Sequence, residues 1–252
     1  MKKITAALLC VMLVISTSVT AFGATKNDVK EKIDTAVAFA FDGNYSKNGY
    51  DVSASKNLYI LAQSGADISA FATDYFKSVS DAAAAGTLTD AGVIGMAVTI
   101  ADLAGADPEN INGTDLTNML KNADPGAVST PYNYFYAIEA AVNHGMKDTA
   151  AAFSNALAKY YVPGTGTDFW NGYGTSPDDL AMFILAMETA GAYTEYTKDA
   201  FEILETFATP DGYSNYGANA DSTALALAAC AAAGNTEKAD DIYDILILSL
   251  IH

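Results

Sequence analysis

The sequence predicts an all-α fold built from helical hairpins. Five alanine-rich apolar segments end on glycines that lie 40, 40, 46 and 43 residues apart: Gly65, Gly105, Gly145, Gly191 and Gly234. A period of this length holds one pair of helices per repeat. Within the segments, apolar residues recur three and four positions apart, as at Leu180, Ile184 and Met187, which is the spacing of one helix face. Strand-like alternation of apolar and polar residues is scarce.

The individual helices follow from the apolar pattern and from the glycines that end them. A glycine just past a helix end adopts the left-handed conformation at little steric cost. The chain can then change direction and enter the second helix of the pair. We predict helices over residues 28–42, 51–64, 67–84, 89–104, 114–122, 131–144, 147–160, 177–190, 195–208, 221–233 and 236–250. The turn-rich connectors at 107–113, 163–166 and 209–212 are too short to be linkers between domains. We therefore expect a single domain.

Start signals support two of these helices. At 176–179 a serine can cap a helix and a proline fits the first helical position,. Asp178 and Asp179 then fall in the first turn, where the helix dipole favours negative charge. Thr130 and Pro131 are predicted to open another helix in the same way.

The amino terminus has the three parts of a secretory signal peptide. Two lysines precede an apolar run over 4–15 and a stretch of small residues over 20–24,. Cleavage after Gly23 would leave residues 24–252 as the mature domain. The apolar run is shorter than the roughly 20 residues of a membrane span, so we expect a secreted or cell-surface protein with no span in the mature chain.

The net charge of the chain limits the classes of molecule that it can bind. The chain carries a formal net charge of −17 and contains no arginine. Such a surface repels nucleic acids and anionic membranes, whose binding depends on clustered basic residues. It also lacks the bidentate guanidinium groups that commonly hold phosphates. The charge does not exclude cationic, neutral or metal-bearing partners.

The two cysteines do not predict a disulfide. Cys10 lies in the predicted signal peptide, so the mature chain keeps only Cys230, in the middle of an alanine-rich helix. The exported protein must therefore hold together by packing. We interpret Cys230 as a buried, inert thiol.

Aligning the last two repeats on their final glycines places Asp178 over Asp221 and several alanines over one another. Small residues at equivalent positions allow neighbouring helices to approach closely. The second helix of each pair carries more charge, as in 194–199 and 235–241. We expect the alanine-rich helices inside and the charged helices outside.

The segments 172–182 and 212–234 resemble the prenyltransferase and squalene-oxidase repeat. The pattern of that repeat is a Gly-aromatic loop, an acid at a helix start, Thr-Ala, then Ala-Leu and a closing glycine; 172–182 has the first two features and 212–234 has all of them. The resemblance implies an α/α toroid of about five to six hairpins, with inner helices around a central cavity. Terpenoid cyclases, protein prenyltransferases, cobalamin carriers and many bacterial surface proteins share that fold, so the fold alone does not select an activity. The chain stops on the apolar run 245–251, a helix that would either close the ring against 28–42 or mark where a longer protein was cut.

The resemblance to the enzymes is incomplete. The acid motif of class II cyclases would map to 176–179 without its first acid, leaving Asp178 as the protonating residue. The Gln-Trp motifs of triterpene cyclases are absent, and Cys230 lacks the acidic and histidine partners of a prenyltransferase zinc site. We expect neither a metal nor another cofactor. A glycan-active enzyme would need two carboxylates across one cavity, and Asp178 with Asp221 is the candidate pair.

An aromatic group near the loops is the alternative to catalysis. The candidate ligand-binding residues are Trp170, Tyr173, Tyr213, Tyr216 and Tyr132. Rings at a cavity mouth would suit an extracellular glycan, peptide or corrinoid, whereas in a structural interpretation they pack the hairpin turns. His144 precedes the glycine at a helix end and is expected to interact with the last helical carbonyls. The favoured hypothesis is a secreted, non-catalytic binding module; the alternative is a toroid enzyme that uses Asp178, alone or with Asp221.

Overall fold

The computed structural model describes residues 50–215, 217 and 219–251. The predicted signal peptide, the first predicted helix at 28–42 and Tyr216 lie outside the described residues. Contacts group residues 50–149 into one compact unit and residues 150–251 into another.

Helices account for most of the described chain, which confirms the all-α class. The ten described helices are α1 (Ser55–Gln63), α2 (Ser69–Ala84), α3 (Ala91–Leu103), α4 (Leu116–Lys121), α5 (Asn133–Asn143), α6 (Lys147–Ala158), α7 (Pro177–Ala190), α8 (Thr194–Leu204), α9 (Ala220–Ala232) and α10 (Thr236–Ile251). Short 3-10 turns at Val52–Ala54 and Glu205–Phe207 replace the ends of two predicted helices. The other boundaries agree closely with the sequence prediction.

The glycines end their helices as predicted. All five have φ between 64° and 79°, which is the left-handed conformation that an L side chain rarely adopts. The amide after each glycine donates to a carbonyl five residues earlier, as from Ala192 to Met187. These bonds satisfy helix carbonyls that have no intrahelical partner. The start predicted at Thr130 and Pro131 is wrong by two residues, because a turn precedes α5 and Tyr132 caps it without a side-chain bond.

Two small antiparallel hairpins, which the sequence did not predict, lie in the connectors of the second unit. Strand β1 (Tyr161–Val162) pairs with β2 (Gly166–Thr167), and β3 (Ala208–Thr209) pairs with β4 (Gly212–Tyr213). Strands of two residues are too short to show an alternating pattern. Two of the predicted connectors are the tips of these hairpins.

In the unit 50–149, α3 is the central helix. It packs against both α1 and α5, and ten of its 13 residues are buried. Gly92 and Gly95 lie where α5 comes closest: a methyl group on Gly95 would overlap the backbone of Tyr136 and Ala137, and one on Gly92 would overlap Asn133. Small residues therefore set the distance between these two helices.

In the unit 150–251, α7 lies beside α9, α8 packs on α7, and α10 packs on α9. The alanine-rich α7 is mostly buried, whereas only three of the 11 residues of the more charged α8 are buried. Tyr161 fastens the first hairpin to this unit, because its ring stacks between Phe183 and Tyr196 at centroid distances of 4.6 and 5.1 Å. Its hydroxyl donates to Asp199 over 2.7 Å. The first hairpin is thus held against α7 and α8.

Candidate functional site

A cavity of about 520 Å³ lies within the second unit, at the amino ends of α7 and α9. Its lining comes from both helix starts and from the connector before α9: Ser176, Pro177, Asp178, Ser214, Asn215, Gly217, Asn219, Ala220 and Ser222. Most of these side chains carry a hydroxyl or an amide. Asp178 is the one ionisable residue among them.

Side-chain capping shapes the two helix starts, of α7 and α9, that line this cavity. Ser176 accepts from the Asp179 amide and Asp179 accepts from the Ser176 amide, both over 3.1 Å, which is a reciprocal capping box. Asn219 caps α9 in turn and accepts from the Asp221 amide over 2.8 Å. The predicted cap at Ser176 is confirmed. Both caps hold the backbone in the extended conformation as it enters a helix, so the cavity has ordered edges.

The adjacent acids Asp178 and Asp179 have different environments. Asp179 is 1% exposed, and its two oxygens accept from the Trp170 indole and from the Ser176 amide, each over 3.1 Å. Asp178 lines the cavity, and its Oδ1 is buried without a hydrogen-bond partner. An unpaired buried acceptor is unfavourable until a donor reaches it. Asp179 therefore holds the helix start, whereas Asp178 is the acid of the cavity lining.

The second predicted carboxylate does not join the first in this cavity. Asp221 occupies the same helical position in α9 as Asp178 in α7. However, it is exposed, and the cavity lining includes its neighbours Ala220 and Ser222 but not Asp221 itself. The lining therefore supplies one carboxylate rather than the pair that glycoside hydrolysis requires.

Two of the predicted aromatic residues share an exposed loop that directly precedes Ser176 of the cavity lining. Trp170 is 41% exposed and Tyr173 is 91% exposed. Asn171, Gly172 and Gly174 all have positive φ, and the Gly172 amide donates to Asp168 over 2.6 Å. The loop is therefore shaped by residues that tolerate a left-handed backbone, and it presents both rings toward solvent.

The other predicted aromatic residues lie elsewhere. Tyr213 is 2% exposed, and its hydroxyl donates to Glu205 over 2.8 Å; burial raises its pKa well above the ordinary range. It packs in the interior, as the structural interpretation of these rings expects. Tyr132 is half-buried in the unit 50–149, and Tyr216 is outside the described residues. Among the predicted aromatic residues that the structure describes, Trp170 and Tyr173 are thus the two that are exposed.

The unit 50–149 contains a buried acid that sequence reasoning missed. Glu139 on α5 is 1% exposed. It accepts from the Tyr59 hydroxyl over 2.7 Å and from the Gln63 amide over 3.4 Å, and the Tyr59 ring meets Tyr136 edge-on at 4.9 Å. Burial raises the pKa of Glu139 to about 7. A charged residue inside the otherwise apolar stretch 134–142 was the signal that could have found it.

His144 behaves differently from the prediction. Its Nε2 lies 2.9 Å from Oδ2 of Asp102, so its side chain pairs with an acid on α3 rather than with the helix carbonyls. That hydrogen bond raises the pKa of His144 above its ordinary value. His144 also lines a smaller cavity of about 290 Å³ with Glu109, Asp115 and Lys121 among its neighbours.

Cys230 is buried, as predicted, and burial raises its pKa to about 12. Among the described residues no group of histidine, cysteine and acidic side chains could hold a metal ion. No helix in the described part of the chain is long and apolar enough to cross a membrane.

No family model matches the sequence, and comparisons with curated proteins and with solved structures also find no match.

Proposed function

We propose that the chain is an exported α/α-toroid repeat protein that binds a ligand without transforming it, at the cavity that contains Asp178. Export is inferred from the signal-like residues 1–23. The toroid is inferred from the hairpin period and from the resemblance to the prenyltransferase and squalene-oxidase repeat. The packing within each unit supports it: α3 lies between α1 and α5, and α7 lies beside α9, while α8 is more exposed.

The observation that carries the binding role is the polar cavity with a single carboxylate. A ligand pocket is a concave site with a few polar groups that fix orientation, and a volume of about 520 Å³ is within the usual range for small-molecule sites,. The buried Oδ1 of Asp178 supplies an acceptor that the protein itself leaves unpaired. A ligand donor that reaches the Asp178 carboxylate from the cavity would make a charge-assisted hydrogen bond.

The enzymatic alternatives have less support. Hydrolysis with acid and base groups needs a second carboxylate, and Asp221 is not part of the lining. A cyclase would need Asp178 to protonate an apolar substrate, whereas the lining consists mainly of serine and asparagine side chains. These residues match hydrogen-bonding ligands rather than hydrocarbons.

The test is binding with a matched pair of variants. Asp178→Asn and Asp221→Asn remove the same charge from the same helical position, but only the first changes the cavity. Titration of residues 24–252 with soluble oligosaccharides and short peptides should show binding that Asp178→Asn weakens about tenfold or more and Asp221→Asn leaves intact. Mass spectrometry should recover the ligand unchanged. Turnover that Asp178→Asn abolishes would replace the proposal with the enzyme alternative, and equal effects of both variants would refute the site.

A further inference from the structure

The composition of the cavity restricts the chemistry of its ligand. Its lining offers hydroxyls and amides, which both donate and accept, together with one carboxylate, which accepts,. Neither a lysine nor a histidine is among the lining residues that the structure describes, and the chain carries a net charge of −17. An anionic ligand would therefore meet repulsion without a compensating partner. The ligand must present several donors and acceptors of its own, with at least one donor for Asp178.

An aromatic side chain is connected by hydrogen bonds to a residue of the cavity lining. One carboxylate connects them, since Asp179 accepts from the Trp170 indole through Oδ1 and from the Ser176 amide through Oδ2, and Ser176 lines the cavity. Hydrogen bonds to Asp179 therefore connect Trp170 with the lining residue Ser176, while the Trp170 ring stays partly exposed. Tyr173, three residues on, leaves almost its whole side chain in water.

Exposed aromatic rings beside a hydroxyl-rich and amide-rich pocket suit one ligand class in particular. A pyranose has an apolar face of C–H groups that can lie on an aromatic ring, and a rim of hydroxyls that each donate and accept. Serine, asparagine and aspartate side chains match that rim, and the rings of Trp170 and Tyr173 match that face. The hydrogen-bond connection from Trp170 through Asp179 to Ser176 is what relates these two features to one ligand.

We infer that the ligand of this cavity is a neutral glycan, whose hydroxyls bind to Asp178 and the surrounding serine and asparagine side chains while a neighbouring ring stacks on Trp170 and Tyr173. This inference rests on the proposed binding function and names its ligand class. In this inference Asp178 binds a sugar hydroxyl, and the loop 169–175 provides the aromatic rings on which a sugar ring stacks.

The chain provides its own reporter, because Trp170 is its only tryptophan. The probes are neutral oligosaccharides of two to six units from cellulose, amylose and chitin, with oligogalacturonate as the anionic probe and trilysine as the cationic one. We expect at least one neutral series to shift the Trp170 emission saturably, with a Kd of about 1 mM or below, and oligogalacturonate to give no saturable shift.

Variants then separate the roles of the residues. By calorimetry, Asp178→Asn and Tyr173→Ala should each weaken the neutral glycan about tenfold, Trp170→Phe should retain most binding because it keeps a ring, and Asp221→Asn should have no effect. Tyr173 is exposed enough to be replaced without disturbing the fold, and circular dichroism checks every variant.

Each outcome decides between the two proposals. Saturable binding of trilysine that depends on Asp178, without glycan binding, would overturn the glycan inference and keep the binding function. Glycan binding that survives both Asp178→Asn and Tyr173→Ala would overturn the inferred site. The absence of binding by every probe would overturn both proposals.

Discussion

Tyr59 donates a hydrogen bond to Glu139 across 2.7 Å, joining α1 to α5 in the unit 50–149. The carboxyl is buried, and its two oxygens face the Tyr59 hydroxyl and the Gln63 amide. The ring of Tyr136, three residues earlier, lies on the same face of α5, and burial together with the charge of Glu139 raises the pKa of Tyr136 to about 12,. Burial without a cation favours the protonated acid and raises its pKa to about 7,.

This pKa predicts that the protein loses stability as the pH rises toward neutrality. The fold favours the protonated carboxyl, so the contribution of Glu139 is complete below its ordinary pKa of 4.5 and is lost as the pH passes about 7,. The difference corresponds to about 3 kcal/mol of unfolding free energy between these limits. Urea denaturation followed by circular dichroism from pH 5 to 8 measures it.

Two variants isolate the contribution of Glu139. Glu139→Gln keeps the shape and an acceptor for Tyr59 but does not titrate, so its stability should change much less over this range. Asp74→Asn alters an exposed acid of the same unit and should follow the pH profile of the unmodified protein. A wild-type profile that stays level or rises from pH 5 to 8 would contradict the burial of an uncharged Glu139.

Features that depend on neighbouring residues were predictable from the sequence, whereas contacts between residues far apart in the sequence were not. Helices, glycine ends and the cap at Ser176 depend on neighbours within a few positions, and each was predicted from the apolar period and from turn chemistry. The pair of Tyr59 and Glu139 joins positions 80 residues apart, which no local pattern records. The indole bond from Trp170 to Asp179 is nearer in sequence but depends on a left-handed loop that positions the ring.

The candidate site shows the same division. The equivalence of Asp178 and Asp221 was visible in the repeat, because both follow a cap at the same helical position. The repeat does not specify that Asp178 lines the cavity together with Ser214, Asn215, Gly217 and Asn219 of the connector, whereas Asp221 does not. Tyr213 likewise looked like a loop aromatic, but its ring is buried and its hydroxyl donates to Glu205.

Close packing at Gly95 predicts an effect opposite to that of helix propensity. Alanine is favoured over glycine in a helix by about 1 kcal/mol, yet a Cβ at this position would lie 2.9 Å from Cα of Ala137 and still closer to the Tyr136 carbonyl. Backbone cannot move aside as a side chain can. We expect Gly95→Ala to destabilise the protein by about 1 to 3 kcal/mol, measured by denaturant unfolding.

A control at an exposed position tests the explanation. Ala151 lies in α6 and is exposed, so Ala151→Gly should destabilise the protein by about 1 kcal/mol through propensity alone. Stabilisation by Gly95→Ala would show that α3 and α5 do not approach as closely as the structure indicates.

His144 is predicted to titrate above its ordinary pKa of 6.5, because the Asp102 hydrogen bond and the charge of Glu109 both favour the imidazolium. Its contribution to stability is therefore complete below pH 6.5 and is lost as the pH rises through the higher folded value. Proton NMR of the imidazole resonances, with His252→Gln to remove the other histidine, measures the pKa. Asp102→Asn should lower it toward 6.5, and Glu109→Gln should lower it less. An unchanged pKa in Asp102→Asn would rule out the pair as its cause.

The division of roles between Asp178 and Asp179 predicts that the neighbouring acids differ in their effect on stability. Asp179→Ala leaves the Trp170 indole and the Ser176 amide without their acceptor, and the loss should be about 1 to 3 kcal/mol. Asp178→Asn keeps a polar group at the helix start and gives up a dipole interaction of about 0.3 to 1 kcal/mol. Unfolding followed by Trp170 fluorescence reports on this unit directly. Asp179→Ala should also shift the Trp170 emission of the folded protein, because the indole loses its hydrogen-bond acceptor, whereas Asp178→Asn should leave the emission unchanged. Equal losses of stability in the two variants would show that both acids hold the helix start. The cavity would then have no carboxylate reserved for a ligand.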